Sequence, residues 1–451
     1  MPEFGSLLPS VVTPPPGPRS RALGDRLREV ESRNVTFLSE NFPVFWEAAA
    51  GSNVRDVDGN IYLDFTGAFG VALAGHAHPR IRAALEEQSA RLIHGMGDVH
   101  PPELKLELLE RLAGLSPWGE TRGVLASSGS EAVEIALKTA DLYTGRSGVL
   151  AFEGGYHGLT LGSLAVTGRD DFRSPFRGRL HDKVAFAPFP SQENSEGLGV
   201  AEGTEVAEVT LEEVERILAG NGPFDDPIGS VVIEPIQGRA GVRVPPPGFL
   251  SRLAELTRAA GALLVFDEIF TGFGRTGTLF ALDHEDVVPD LLCVGKTLGG
   301  GLPLSACLGS HGVMDAWPES TGEALHTSTF LGHPLSCATA LAFLAVLEEE
   351  ALVSRAAALG GRMLKGLGQA LVGVIPGVRE VRGRGLLMGI EMGGGEGATV
   401  ATAALARGLL VLPAGARGEV VEVAPPAVIS EAQMDFGVEC LIDAIRTVLT
   451  P

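Results

Sequence analysis

Cysteine is scarce in this chain. There are four, Cys293, Cys307, Cys337 and Cys440, and no two stand at C-x-x-C spacing. Three lie in apolar runs, which reads as core thiols and argues against a disulfide framework or a cysteine metal site. Basic charge is short as well: 35 Lys and Arg face 56 Asp and Glu, a formal net charge of −21. Nucleic acid and anionic membrane surfaces both select basic patches, so neither is expected as a partner. No uncharged apolar run reaches the roughly 18 residues of a membrane span. The stretch Pro334 to Leu347 stops at three glutamates. The N-terminus is proline-rich from Val11 to Pro18 and lacks the basic-then-apolar order of a secretory signal. A cytoplasmic protein is the expectation.

What is present suits a folded enzyme. The 451 residues exceed one ordinary core, and 45% hydrophobic with 20% charged content is that of a globular chain. Residues 1–20 read as a mobile, Pro-rich tail. Phe42 to Phe65 is β-rich, with Asp58-Gly59-Asn60 as a hairpin turn. The loop Gly75 to Pro79 holds two histidines but no third ligand at fitting spacing, so no metal site is expected. From about Pro102, strands alternate with helices. Strands are expected at Gly123 to Ala126, Val149 to Phe152, Val184 to Pro188, Val231 to Ile233, Leu263 to Phe266 and Leu291 to Val294. That pattern predicts an α/β fold with a doubly wound, mostly parallel sheet. From about Leu335 one long apolar helix should lead into a smaller α+β region ending in the helix Glu431 to Leu449.

The chemistry-bearing stretches follow the strands. Leu291 to Leu304 reads LLCVGKTLGGGLPL, and it places Lys296 just past a buried strand. Ligands of open α/β sheets bind at that end. A desolvated lysine there is a nucleophile; a lone one elsewhere is a surface charge. The strand before it ends in Asp267, and the stretch between them fits one crossover. Ser127 to Lys138 (SSGSEAVEIALK) starts a helix where a strand ends. Ser128 and Glu131 have capping-box spacing, which reads equally as a well-capped helix. The same geometry offers free amides to a phosphate, with Gly129 allowing close approach and Ser128 and Ser130 adding hydroxyls. In FEGGYHGLT, Tyr156 and His157 follow another strand, where an aromatic can be core or can stack on a ligand. VVIEPIQGRAG places Glu234 and Gln237 just past a fourth.

Taken together, FDEIFTGFGRTG and PDLLCVGKTLGGGLPLSA resemble the signature of the class III aminotransferases, the ornithine, 4-aminobutyrate and acetylornithine type. The resemblance runs from about Phe42 to the last helix. It implies pyridoxal-phosphate fold type I: a large cofactor domain over 76–335, and a small domain from both chain ends, 21–75 and 336–451. It also implies roles. Lys296 would form the Schiff base with pyridoxal 5'-phosphate, and Asp267 would pair with the pyridine nitrogen. The turn at Ser128, Gly129 and Ser130 would take the phosphate. Tyr156, with His157 beside it, would stack on the ring, and Gln237 would donate to the phenolic oxygen. Glu234 would border the substrate. Thr329, in HTSTFLGHP, would reach the phosphate held by the other subunit, so a homodimer with shared active sites is implied. The expected partners are a small amine and a 2-oxo acid such as 2-oxoglutarate.

Three positions depart from the family pattern. His333 replaces an asparagine, and Arg239 replaces a glutamate. Glu422 stands where an arginine often binds the substrate carboxylate. A glutamate would repel a carboxylate. Either the substrate is cationic or neutral at that end, as a diamine, ornithine or lysine is, or Arg239 has taken over the anion role. A racemase or epimerase on the same scaffold is the alternative activity. A cofactor-binding regulator would need a DNA-binding module, and the sequence has no separate basic domain.

Overall fold

The computed structural model describes residues 4–191 and 204–450. The chain divides into two units, one running from Arg80 to Val353 and the other joining the residues up to Pro79 with those from Ser354 onward.

In the second of these units, β1 (Trp46–Ala50), β2 (Asn53–Asp56) and β3 (Ile61–Asp64) pair antiparallel. The predicted turn joins β2 to β3. Asp56 closes it by accepting from the backbone N–H of Asp58 at 3.0 Å and of Asn60 at 2.8 Å. Gly59 supplies the φ of 90° that the turn needs. The expected mobile tail is not what forms. Leu7 N–H donates to Asn53, Val12 and Thr13 N–H to Asn60, each at 2.9 Å, and Ser10 bridges to Ile61. Buried asparagine carbonyls thus satisfy amides that a free arm would leave to water.

The larger unit is built on a seven-stranded sheet. Its strands are β4 (Thr121–Ala126), β5 (Gly148–Phe152), β6 (Val184–Ala187), β7 (Ile228–Ile233), β8 (Leu263–Asp267), β9 (Leu291–Val294) and β10 (Ser305–Ser310). Their spatial order is β4-β10-β9-β8-β7-β5-β6. The run from β9 to β6 is parallel, and β10 lies antiparallel to both neighbours. Every residue of β7, β8 and β9 is buried, as expected of strands covered on both faces. The helix Gly129–Thr144 lays Val133, Ala136 and Ala140 on this sheet, against Val265 and Cys293. Each large apolar side chain buried this way contributes about 1.5–3 kcal/mol.

Two expectations need correction. The sheet holds a strand, β10, that the sequence pattern does not reveal; the long apolar helix expected from about Leu335 forms as Pro334–Glu349, and a second, Leu352–Leu371, follows it. Ala351, with φ 50°, breaks the helix just after the run of glutamates. The first of the two belongs to the larger unit, so the division between units falls near 353 rather than 335. Thr339 holds it there by donating to the carbonyl of Gly299 at 2.8 Å.

After these helices come β11 (Val378–Arg384), β12 (Leu387–Met392), β13 (Leu409–Leu410), β14 (Leu412–Ala414) and β15 (Val420–Val423). β13 extends the first small sheet alongside β3, and the others form a sheet ordered β11-β12-β15-β14. Among the described residues no helix is long and apolar enough to cross a membrane.

Candidate active site

The adjacent ends of β8 and β9 bring Asp267 and Lys296 to one cavity of about 170 Å³. Lys296 opens a short turn with φ 46°. A left-handed backbone costs a non-glycine residue about 1–2 kcal/mol, so surrounding structure must impose it. The result sets Nζ 3.6 Å from the ring centroid of Phe270, a cation–π contact.

Asp267 is fixed by two donors. His157 Nδ1 donates to it at 2.8 Å, and the N–H of Ile269 at 3.1 Å. His157 is only 2% exposed. Burial works against its charged form, but the hydrogen bond and charge of Asp267 outweigh burial and hold its pKa above the ordinary value. Glu234 lies in the same cavity and accepts from the N–H of Tyr156 at 2.8 Å and of Gly238 at 3.2 Å. Burial, aided by the charge of Asp267 and opposed by His157, pushes its carboxyl up to about 7.

One wall is the N-terminus of the helix Gly129–Thr144. Ser128 caps it by accepting from Glu131 N–H at 3.3 Å, while the Glu131 carboxylate accepts from Ser127 and Ser128 N–H. The cap uses the third amide. Those of Gly129 and Ser130 bond to no protein acceptor among the described residues, and both residues line the cavity. Ser130 Oγ accepts from Leu159 N–H at 3.2 Å. Gly158 beside it has φ 124°, and a Cβ there would lie 2.1 Å from that oxygen. Only glycine fits.

The structure therefore gathers Lys296, Asp267, His157, Tyr156, Glu234 and Arg239 with the Gly129–Ser130 amides. Four predicted residues stand apart. Ser128 serves as the cap. Gln237 is fully buried and is not among the residues lining the cavity, and one N–H of its Nε2 donates to the carbonyl of Glu153 at 2.9 Å. Thr329 is exposed and does not line the cavity. Glu422 is buried in β15 of the other unit, opposite Gly389 and Leu412. His333 is in ring contact with His94, at 5.8 Å between centroids. Sequence reasoning missed Ile269, Phe270 and Gly158 as lining residues. The first two sit inside the FDEIFTGFGRTG motif, where their place directly after the strand end was the available signal.

A strand-end lysine, a histidine-braced aspartate and a helix N-terminus thus face one cavity on an α/β sheet, a set suited to an aldehyde cofactor that carries a phosphate. Residues 36–445 match the family model of the class III aminotransferases, and the chain belongs to that family. It is a pyridoxal-phosphate-dependent transaminase. It is 38% identical to acetylornithine aminotransferase of Methanopyrus kandleri over 90% of this chain and 95% of the relative. It is 37% identical to 5-aminovalerate aminotransferase of Pseudomonas aeruginosa, over 89% and 93%. Among solved structures it superposes on ornithine aminotransferase of Toxoplasma gondii with a TM-score of 0.82 at 31% identity, covering 95% of both chains.

The residues present fit that cofactor. The Gly129–Ser130 amides and the positive helix end suit a phosphate, and a Cβ at Gly129 would come within 2.8 Å of the Ile269 side chain, so glycine keeps that corner of the cradle uncrowded. A carboxylate suits a protonated ring nitrogen, and an amine in a lined cavity suits an aldehyde.

Glu234 and Glu268, both buried and both raised from 4.5 to about 7, carry a prediction. The folded state binds these protons more tightly than the unfolded chain. Their stabilising contribution is present at low pH and is lost as pH rises from about 4.5 through 7. E234Q should remove roughly half of that fall. Urea unfolding midpoints between those pH values measure it, and an unchanged slope would contradict it.

Proposed function

We propose that this enzyme moves the terminal amino group of an ω-amino or basic amino acid to a 2-oxo acid, with 2-oxoglutarate as acceptor. The observation that carries the reading is the convergence of Lys296 and the His157–Asp267 pair on one cavity. The relatives support an ω-amino donor, since they act as acetylornithine, 5-aminovalerate and ornithine aminotransferases.

Lys296 would hold pyridoxal phosphate covalently through Nζ, and the amides of Gly129 and Ser130 would hold its phosphate. When bound, the cofactor supplies the electron sink that lets a C–H bond beside the substrate nitrogen ionise. Asp267, held in place by His157, would face the ring nitrogen and favour a proton there. His157 positions that carboxylate. Lys296 Nζ would be placed to act as general base toward the substrate carbon and then, as general acid, to deliver that proton to a different carbon, on the cofactor. The Phe270 ring lies against Lys296 Nζ, which is 3.6 Å from the ring centroid. Tyr156 offers a flat ring to the site, and Glu234, with both oxygens held by backbone N–H groups, borders the substrate.

No observation favours the racemase alternative. It needs a second acid opposite the lysine, and the remaining acid, Glu234, is tied down by the backbone.

The larger unit is thus the cofactor-binding domain in this reading. The working form is a homodimer in which Thr329 acts on the partner's site. Supporting this, the segments around Thr329 and around Met96 touch through a Thr327–Asp98 hydrogen bond and expose an apolar surface with Ile93, Met96, Val99, Leu325 and Phe330. Light scattering should return twice the chain mass of 47.0 kDa. A cytoplasmic location accords with the chain's four free cysteines.

Purified holoenzyme is given labelled 2-oxoglutarate and a panel of 5-aminovalerate, 4-aminobutyrate, ornithine, N-acetylornithine and diamines. Labelled glutamate with an ω-amino donor is the expected result. Loss of optical activity from one amino acid with no oxo acid present would overturn it in favour of racemisation.

A further inference from the structure

Arg239 lines the cavity that holds Lys296 and Asp267, and it is exposed. Its guanidinium carbon lies 5.1 Å from the centroid of the Tyr156 ring. Among the described residues it forms no ion pair, whereas exposed arginines elsewhere, such as Arg362 with Glu431 and Asp435, do. Its neighbour Arg169 is paired to Asp171 at 2.8 Å and points an N–H at the carbonyl of Arg239, 3.5 Å away. The two acids of the cavity are already engaged. Asp267 is bound by His157, and Glu234 accepts from the N–H groups of Tyr156 and Gly238. The guanidinium N–H groups of Arg239 donate no hydrogen bond among the described residues, so the edge that carries them is unclaimed. That edge matches a carboxylate in two parallel hydrogen bonds. In a chain of net charge −21, a cation with no acidic partner at a reaction cavity is a selective feature.

We propose that Arg239 is the specificity-determining residue that binds the substrate carboxylate remote from the reacting carbon. This rests on the transaminase reading above and decides what it leaves open. An ω-amino acid donor and a dicarboxylic oxo acid acceptor each present a carboxylate at the far end, so one arginine serves both halves of the reaction. A diamine would present an ammonium there and be repelled. The substrate pair is therefore an ω-amino monocarboxylate and a 2-oxo dicarboxylate, and the cationic-donor reading suggested by Glu422 is set aside.

The test uses holoenzyme as wild type, R239A and R239K. Glutarate, a dicarboxylate with no reacting carbon, is titrated by calorimetry. R239A should weaken its binding roughly 10- to 100-fold, the range for a hydrogen bond to a charged group, and R239K should restore part of it. The ratio of kcat/KM for 2-oxoglutarate to that for pyruvate should fall by a similar factor, because pyruvate has no distal carboxylate. The ratio for 5-aminovalerate against cadaverine should fall with it. Glutarate binding and both ratios within about twofold of wild type would overturn the assignment. Should wild type bind glutarate through Arg239 yet transfer no amine, the arginine's role stands and the transaminase reading falls. An active wild type whose selectivity survives R239A overturns the arginine's role and leaves the transaminase reading intact.

Discussion

K296A is expected to fold and to lose transamination by at least about 10³-fold in kcat/KM, since one side chain both anchors the cofactor and moves the proton. Position 296 keeps its left-handed φ of 46° in the variant, because alanine relieves the strain no better than lysine. Folding is therefore not helped or repaired by the change, and lost activity reads as lost chemistry. A second readout separates anchoring from catalysis. Borohydride treatment of the wild-type holoenzyme should fix the cofactor's mass to the peptide that carries residue 296. In K296A nothing should be fixed. Cofactor mass on another lysine, or activity within about tenfold of wild type, would show that the strand-end lysine is not the nucleophile.

D267N should lower kcat by about 10² to 10³, the usual cost of removing one preorganised charged group from a reacting site. Asparagine keeps the shape and can still accept from the Ile269 N–H that Asp267 holds at 3.1 Å. What disappears is the negative charge. His157 reports this directly. Burial acts to lower its pKa, and the Asp267 hydrogen bond and charge, with a smaller push from the charge of Glu234, lift it above the ordinary value. In D267N burial is opposed only by the charge of Glu234, so the pKa of the histidine should fall. NMR titration of the ring gives the answer. A histidine pKa unmoved by the substitution would mean that the pair is not coupled as the geometry implies.

Much of the site was legible because its motifs sit where strands stop. Apolar runs identified β8 and β9, and a charged residue directly after each was enough to pair Asp267 with Lys296. The capping box at Ser128 and Glu131 and the turn at Asp58-Gly59-Asn60 were readable for a similar reason, since side-chain-to-backbone bonding there is local. β10 was hidden. Its sequence, Ser305 to Ser310, is small and mixed, with no alternation, because it is squeezed between β4 and β9 with nearly every residue buried. The bond from the Gln237 amide to the carbonyl of Glu153 could not be read from sequence, because the two lie more than 80 positions apart. The pinned N-terminal arm leaves no local trace either, as its partners Asn53 and Asn60 lie far along the chain.

The reversed direction of β10 has a mechanical consequence. The chain leaves β9, passes through Lys296 and re-enters the sheet next door at Ser305, with no crossover helix to absorb slack. Successive turns cinch this span, with Leu298 N–H bonding Gly295, Gly300 bonding Thr297 and Leu302 bonding Gly299. Ser305 Oγ then ties its far end to the carbonyl of Ser128 at 2.6 Å. The nucleophile thus rides on a short bridge bolted at each abutment, and a lengthened bridge would shift the amine and the phosphate cradle together.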